Sequence, residues 1–132
     1  MLVVDASAAI EAIVAGRRPP GLIDRLADEE LAAPHLIDVE LSHAIRRLVR
    51  RRELSADRGA DARSDLAALP LLRYPHWPLA DRIWALQDNL SAYDAAYLAL
   101  AEAIEVPLVT CDAALAEIAG ANVEVELCPP AD

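Results

Sequence analysis

The sequence predicts an α/β protein whose short parallel β-sheet is flanked by helices on both faces. Short aliphatic runs, each as long as a buried strand, alternate with longer segments that repeat apolar residues at helical spacing. This alternation is typical of βαβ units joined by right-handed crossovers. The 132 residues, 55% of them hydrophobic, fit one domain with an aliphatic core. We expect residues 1–132 to form that single domain, with a short tail at about residues 128–132.

The predicted elements follow one another in a regular order. The chain opens with a strand that ends in an acid, and Ser7 is a suitable cap for the next helix, which Gly16 ends. The predicted strands are Leu2–Asp5, Leu31–Ala33, Leu71–Tyr74, Leu108–Thr110 and Val123–Leu127. The predicted helices are Ala8 to about Ala15, about Gly21–Asp28, Asp38 to about Glu53, Ser55 to about Leu69, Leu79–Asn89, Ser91–Ile104, and the segment from Asp112 to about Ala119.

Composition excludes several classes of function. All twelve basic residues are Arg, so a phosphate-binding P-loop, which needs Lys, is absent. The net charge of −10 disfavours tight non-specific binding of nucleic acid. Cys111 and Cys128 form no CxxC motif and are expected to be reduced thiols, and the three histidines lack zinc-binding spacing. No apolar run approaches the ~20 residues that span a bilayer, and the N-terminus lacks signal-peptide features. We therefore expect a cytoplasmic protein without membrane association.

Four acidic residues fall where predicted strands give way to helices: Asp5, Glu40, Asp94 and Asp112. Ligands of parallel α/β sheets bind beyond the carboxyl ends of the strands, so we expect these side chains to converge there. Each acid alone is equally well explained as a helix cap or a partner of a helix dipole. Asp5 follows the apolar run Leu-Val-Val, however, and Asp94 precedes another apolar run, and no basic residue adjoins the four junctions.

A divalent cation is the simplest counter-charge for buried carboxylates that have no basic partner. Oxygen ligands without His or Cys favour Mg²⁺ or Mn²⁺ over zinc, and four acids suffice for one ion or two. Such a centre is suited to hydrolysing a phosphodiester bond.

The motifs Leu-Val-Val-Asp5-Ala-Ser7, Ser-Ala-Tyr-Asp94-Ala-Ala-Tyr and Leu-Val-Thr110-Cys-Asp112 occur in this order, with Glu40 on the helix after Pro34. In these segments the chain resembles the PIN-domain ribonucleases, specifically the VapC-type toxins of bacterial toxin–antitoxin pairs. The resemblance implies a Rossmann-like PIN domain and a Mg²⁺- or Mn²⁺-dependent endoribonuclease that cleaves cellular RNA through metal-activated water. It also implies a homodimer that is inhibited by a VapB-type antitoxin, whose C-terminal segment lies across the site.

The resemblance also assigns roles to individual residues. Asp5, Asp94 and Asp112 are expected to be catalytic metal ligands, and Glu40 to bind the metal directly, bind it through water, or position the nucleophile. Ser7 and Thr110 are expected to orient carboxylates or waters.

Arginines and aromatic residues leave alternatives open. Arg47 and Arg51 lie within roughly 20° of the Glu40 direction on the long predicted helix. They are candidates for contact with RNA or antitoxin, although Arg near a helix C-terminus also complements the dipole. The aromatic residues Trp77, Trp84, Tyr93 and Tyr97 are candidates for stacking on bases. Because the chain has no Phe, we expect them to pack in the core instead.

Two other functions stay open. One is a phosphatase or phosphotransfer domain with Asp5 as nucleophile, which the absence of Lys and the presence of Ser7 two residues later disfavour. The other is a PIN-fold interaction module with weak or no catalytic activity. The sequence does not identify the RNA that would be cleaved.

Overall fold

The computed structural model describes residues 1–14, 19 and 21–128. Within them, five short strands form one sheet. They are β1 (Leu2–Val4), β2 (Leu31–Pro34), β3 (Leu71–Tyr74), β4 (Leu108–Thr110) and β5 (Val125–Leu127). Neighbouring strands are parallel, in the order β3-β2-β1-β4-β5. β1 therefore lies at the centre, and the direction in which strands are added reverses between β1 and β4.

Helices connect the strands and cover the sheet. They are α1 (Ala6–Ile13), α2 (Leu22–Leu26), α3 (Ile37–Arg50), α4 (Ala56–Ala68), α5 (Ala80–Ala85), α6 (Ala92–Ile104) and α7 (Ala113–Ala116). α1 contacts α2, α3 and α4, whereas α6 packs on α5 and lies across β1, β2 and β4. With right-handed crossovers, the reversal of strand order puts these two groups of helices on opposite faces. The predicted α/β class is confirmed.

Most element boundaries agree with the prediction to within a few residues. β3 and β4 match it residue for residue, since Pro70, Pro75 and Pro107 mark their limits. The helix predicted to reach Asn89 ends at Ala85, and a single 3₁₀ turn precedes it. α7 ends at Ala116 instead of about Ala119. The predicted end of the first helix at Gly16 and the predicted tail after residue 128 lie outside the described residues.

The first helix begins differently from the prediction. Ser7 was expected to cap it, but the cap is Asp5, whose Oδ1 accepts a hydrogen bond from the Ala8 N–H group at 2.9 Å. Ser7 lies inside the first turn, where its hydroxyl donates to the same Asp5 oxygen at 2.7 Å. The prediction was wrong because the carboxylate, one residue beyond β1, already occupies the capping position.

The core is built from aliphatic residues and Ala. Tyr97 is buried at 1% exposure, but Trp77, Trp84 and Tyr93 are 78%, 71% and 64% exposed. The expectation that all four aromatic residues pack in the core is therefore wrong for three of them. Tyr97 lies on the buried face of α6, whereas Tyr93 lies in the first turn of that helix, and Trp77 and Trp84 lie in the 3₁₀ turn and α5, neither of which has a buried residue. Among the described helices, none has both the length and the hydrophobicity that crossing a bilayer requires.

Candidate active site

Asp5 and Asp112 follow the two strands between which the strand order reverses. Asp5 comes directly after β1 and caps α1, while Asp112 comes two residues after β4 and caps α7. The Oδ1 atom of Asp112 accepts a hydrogen bond from the Ala114 N–H group at 2.9 Å. This edge of the sheet is where doubly wound folds bind their ligands. The two acids act as helix caps and share this crevice at the same time.

The Asp5 carboxylate is held by three hydrogen-bond donors. Asp5 is 3% exposed. Its Oδ1 accepts from the Ser7 hydroxyl and the Ala8 N–H group, and its Oδ2 accepts from the Thr110 hydroxyl at 2.5 Å. The Thr110 hydroxyl oxygen in turn accepts from the Asp112 N–H group at 3.0 Å. Thr110 therefore couples the positions of the two acids at the ends of adjacent strands.

Glu40 and Asp94 approach the same edge from the first turns of α3 and α6. The Tyr97 hydroxyl donates a hydrogen bond to Glu40 Oε1 at 2.7 Å. Tyr97 lies one helical turn after Asp94, and Ser91 caps that turn by accepting from the Asp94 N–H group at 3.2 Å. The hydrogen bond between Tyr97 and Glu40 thus ties together the two helix starts that carry these acids.

Asp94 is electrostatically coupled to each of the other three acids. Burial raises the pKa of Asp5 to about 6, the hydrogen bonds it accepts oppose that rise, and the Asp94 charge adds to it. Burial also raises the pKa of Glu40, against the hydrogen bond from Tyr97, and Asp94 adds to this rise as well. The pKa of Asp94 is raised by burial and then by Asp112. Asp94 therefore interacts with each of the other three carboxylates.

Within the described part of the chain, none of these four carboxylates forms an ion pair with Arg or His. The donors around Asp5 are a main-chain N–H group and two hydroxyls, which carry no net charge. The repulsion between the acids is therefore not compensated by the protein. Among the described residues, no three acidic, His or Cys side chains are arranged as a ready-formed metal site. The set nevertheless fits a hard divalent cation, because it offers carboxylate oxygens without competing sulfur or imidazole.

Arg47 and Arg51 lie near the end of α3, away from these contacts. Both are exposed, and they line a surface groove of about 260 Å³ together with Ile10, Ala44 and Leu48. Neither guanidinium forms an ion pair with a residue that the structure describes. They are therefore available to a bound molecule, but no contact joins them to the four acids.

Tyr97 is the site residue that sequence reasoning missed. It was assigned to the core, and its ring is indeed buried, but its hydroxyl reaches Glu40 on another helix. A signal was present: Tyr97 follows Asp94 by three residues, which places both side chains on one face of a helix. The partner, 57 positions away in the chain, was not visible from that spacing.

The two cysteines lie beside the site without belonging to it. Both are free thiols, as expected, and both are partly buried. Burial raises the pKa of Cys111 to about 12, with smaller contributions from Cys128 and Asp5. At neutral pH Cys111 is therefore a protonated thiol and a poor metal ligand.

Comparisons with known proteins identify relatives over nearly the whole chain. A family model for the PIN domain matches residues 2–121. The chain is 43% identical over 129 residues to the VapC ribonuclease Mb0985 of Mycobacterium bovis, covering 98% of this chain and 99% of the relative. It is 44% identical over 131 residues to ribonuclease VapC1 of Mycobacterium tuberculosis, covering 95% and 96%.

The fold resembles a solved structure as well. The crystal structure of VapBC2 from Rickettsia felis, bound to a DNA fragment from their promoter, superimposes with a TM-score of 0.65 at 14% identity. The match covers 95% of this chain and 96% of that one. At this identity the likeness concerns the fold.

Replacing Asp5 with Asn is expected to stabilise the metal-free protein at neutral and alkaline pH. The folded-state pKa of about 6 exceeds the ordinary value of 3.8, so the unfolded chain releases this proton first. Stability therefore falls as the pH rises from about 4 to about 6 and stays lower above that. Asn has no such proton to lose, so the variant should gain about 1–3 kcal/mol at about pH 8 and little at about pH 4.

Urea unfolding in EDTA across this pH range measures the effect. Asp88→Asn, which changes an exposed acid, is the matched control and should follow the wild type at every pH. A stability difference between Asp5→Asn and the wild type that is independent of pH would contradict the assignment of the shift to Asp5.

Proposed function

This chain belongs to the PIN-domain family, and from that membership and its acidic site we propose that it is a metal-dependent endoribonuclease, the toxin of a VapBC-type toxin–antitoxin system. The observation that carries the proposal is the group of four carboxylates at one edge of the sheet, in which Asp94 repels each of the other three and no described basic residue pairs with any of them. The relatives that are 43% and 44% identical are ribonucleases by name, and they match this chain almost from end to end. The substrate is cellular RNA.

We assign the metal-binding role to Asp5, Asp94 and Asp112, with Glu40 binding directly, binding through water, or positioning the nucleophile. The bound metal is Mg²⁺ or Mn²⁺, as one ion or two, because the ligands are carboxylate oxygens. When bound, the metal would lower the pKa of a water molecule and offset negative charge on the phosphate oxygens.

The protein's own contribution is to fix the carboxylates in place. Three of the hydrogen-bond positions on Asp5 are filled, which prevents rotation and leaves the remaining lone pair on Oδ2 to face a ligand. Tyr97 engages one oxygen of Glu40, and Ala114 engages one oxygen of Asp112. The second oxygen of each accepts no hydrogen bond from a described residue. Each acid therefore keeps one oxygen for the metal or its waters.

The likeness to the VapC relatives supports our proposals for location, oligomeric state and protein partner. The chain would act in the cytoplasm as a single PIN domain over residues 1–132 and as a homodimer. A cognate VapB-type antitoxin would inhibit it by laying its C-terminal segment across the acidic site. A PIN-fold module that binds partners without cleaving RNA is the competing function, and the following experiment separates the two.

Replacing Asp5 with Asn should abolish RNA cleavage while the chain stays folded. The substitution keeps the size of the side chain but removes the buried negative charge that holds the metal. Purified protein is incubated with a broad transcript library in Mg²⁺, Mn²⁺ or EDTA, and the cut sites are mapped. Asp88→Asn is the control with the same chemical change at an exposed position, and it should cleave like the wild type. A wild-type protein that cuts no transcript in either metal would favour the interaction module.

Replacing Thr110 with Val should weaken metal binding or activity by about 10- to 100-fold, the usual loss when a group that orients a ligand is removed. Val preserves the buried shape but deletes the hydroxyl that donates to Asp5 and accepts from the Asp112 N–H group. Mn²⁺ titration followed by thermal unfolding measures affinity, and cleavage rates are measured in parallel. Thr110→Ser retains the hydroxyl and should recover most of the loss. Equal defects in the Val and Ser variants would point to packing instead.

Replacing Arg47 and Arg51 with Ala should flatten the salt dependence of RNA binding. Each contact with a phosphate of single-stranded RNA contributes about 0.7 to the slope of log affinity against log salt concentration. Both residues line one groove, whereas Arg46 and Arg50 line a different one and provide a matched pair for control. A slope unchanged by the Arg47 and Arg51 substitutions would remove these residues from the RNA surface.

A further inference from the structure

A pocket of about 420 Å³ lies between α3 and α6, beside the acidic site. Val39, Glu40 and His43 from α3 and Tyr93 from α6 line it. We call it the α3–α6 pocket. Its volume is within the range of about 300–1,000 Å³ in which proteins bind small organic groups.

The pocket is continuous with the acids. Glu40 belongs to both, because it lines the pocket and accepts the hydrogen bond from Tyr97. Tyr93 directly precedes Asp94 in the first turn of α6. A molecule in the pocket would therefore lie next to the carboxylates. Two adjacent nucleotides of one strand could occupy the pocket and the acidic site together.

Two of the four residues that line the pocket contribute little to the stability of the fold. Tyr93 is 64% exposed and Val39 is 74% exposed, so neither contributes much to the core. No described residue forms a hydrogen bond with the Tyr93 hydroxyl. A rigid aromatic ring thus stands in solvent beside the proposed catalytic centre without a structural partner.

Charge decides which part of RNA fits here. No arginine among the described residues lines this pocket, and the lining includes the acid Glu40, so the pocket itself is unfavourable for a phosphate group. The nucleobase is the uncharged part of a nucleotide, and single-stranded RNA commonly stacks its bases on exposed aromatic side chains. The imidazole of His43 offers a donor and an acceptor for the edge of such a base.

We propose that the α3–α6 pocket binds a nucleobase of the RNA strand next to the scissile phosphate, with Tyr93 stacking on the base and His43 hydrogen-bonding its edge. This inference rests on the proposed ribonuclease function and adds to it the residues that hold the strand. Stacking itself tolerates every base. Any preference for one base at this position then comes from His43, whose imidazole can distinguish the groups on the edge of the base.

The experiment compares Tyr93→Ala, Tyr93→Leu and Tyr93→Phe with the wild type. Two fluorescein-labelled probes are used, a single-stranded ribonucleotide decamer of random sequence and an abasic ribose-phosphate decamer of the same length. Fluorescence anisotropy in Ca²⁺ gives the affinity, and a gel confirms that the probes stay intact. Thermal unfolding verifies that each variant is folded, which the exposure of Tyr93 leads us to expect.

We expect Tyr93→Ala to bind the base-containing decamer about five- to a hundredfold more weakly than the wild type, the usual effect of removing one stacking ring. Tyr93→Leu should show a similar loss, because it keeps apolar bulk without a π-face, and Tyr93→Phe should bind like the wild type. The abasic decamer should bind the wild type and Tyr93→Ala equally. Unchanged affinity in Tyr93→Ala, full affinity in Tyr93→Leu, or an equal loss with the abasic probe would overturn the proposal.

Two further outcomes separate this inference from the proposed function. Base-dependent binding by a wild-type protein that cleaves no RNA would support the pocket and reject the nuclease. If Tyr93→Ala keeps its affinity for RNA but loses affinity for the antitoxin, the pocket belongs to the protein partner and the inference fails. On a mapped substrate, Tyr93→Ala should raise KM and leave kcat nearly unchanged, because stacking holds the strand without touching the reacting atoms.

Discussion

The hydrogen bonds that hold Asp5 join the ends of the two strands between which the sheet reverses its order. Thr110 reaches from β4 to Asp5, and Ser7 accepts a hydrogen bond from the N–H group of Cys111, the residue after β4. Asp5 itself begins α1. One buried carboxylate thus fixes where two strands end and where a helix starts. The remaining acids depend on this frame, because their distance from Asp5 is set by how α3, α6 and α7 leave the same edge.

The same arrangement lowers the stability of the folded protein. Burial and repulsion raise the pKa values of Asp5, Glu40 and Asp94, which means that ionising these groups costs folding free energy. Neutral donors satisfy the hydrogen bonds of Asp5 but do not cancel its charge. A core designed only for stability would pair such acids with Arg, as this protein does at a part-buried position elsewhere, where Arg82 binds Glu102 through two hydrogen bonds. Among the described residues, the four acids at the crevice have no such partner, which supports the metal-binding role that we propose for them.

Much of this arrangement could be predicted from the sequence, and the limits have physical causes. Strands bounded by proline were located correctly, because proline restricts both its own backbone and that of its neighbour. The convergence of Asp5, Glu40 and Asp112 was predictable because they lie at strand-to-helix junctions of a parallel sheet, which share one edge, whereas Asp94 lies at the start of α6, which follows another helix. The hydroxyl of Tyr97 and the exposure of Tyr93 were not found, since both depend on contacts between helices far apart in the chain. The roles of the acids in metal binding and of Arg47 and Arg51 in RNA binding stay predictions.

The net charge of −10 disfavours binding to RNA, but the short range of electrostatic forces in salt solution limits this effect. At physiological ionic strength charges are screened beyond about 8 Å, so acids elsewhere on the surface act only weakly on RNA at the crevice. Only the local carboxylates repel the scissile phosphate strongly, and a divalent cation would neutralise them where the phosphate must bind. The flanking nucleotides still need attachment that does not depend on net charge. The proposed stacking contacts with bases beside the site would meet this need, and Arg47 and Arg51, farther along α3, stay candidates for contact with the flanking phosphates.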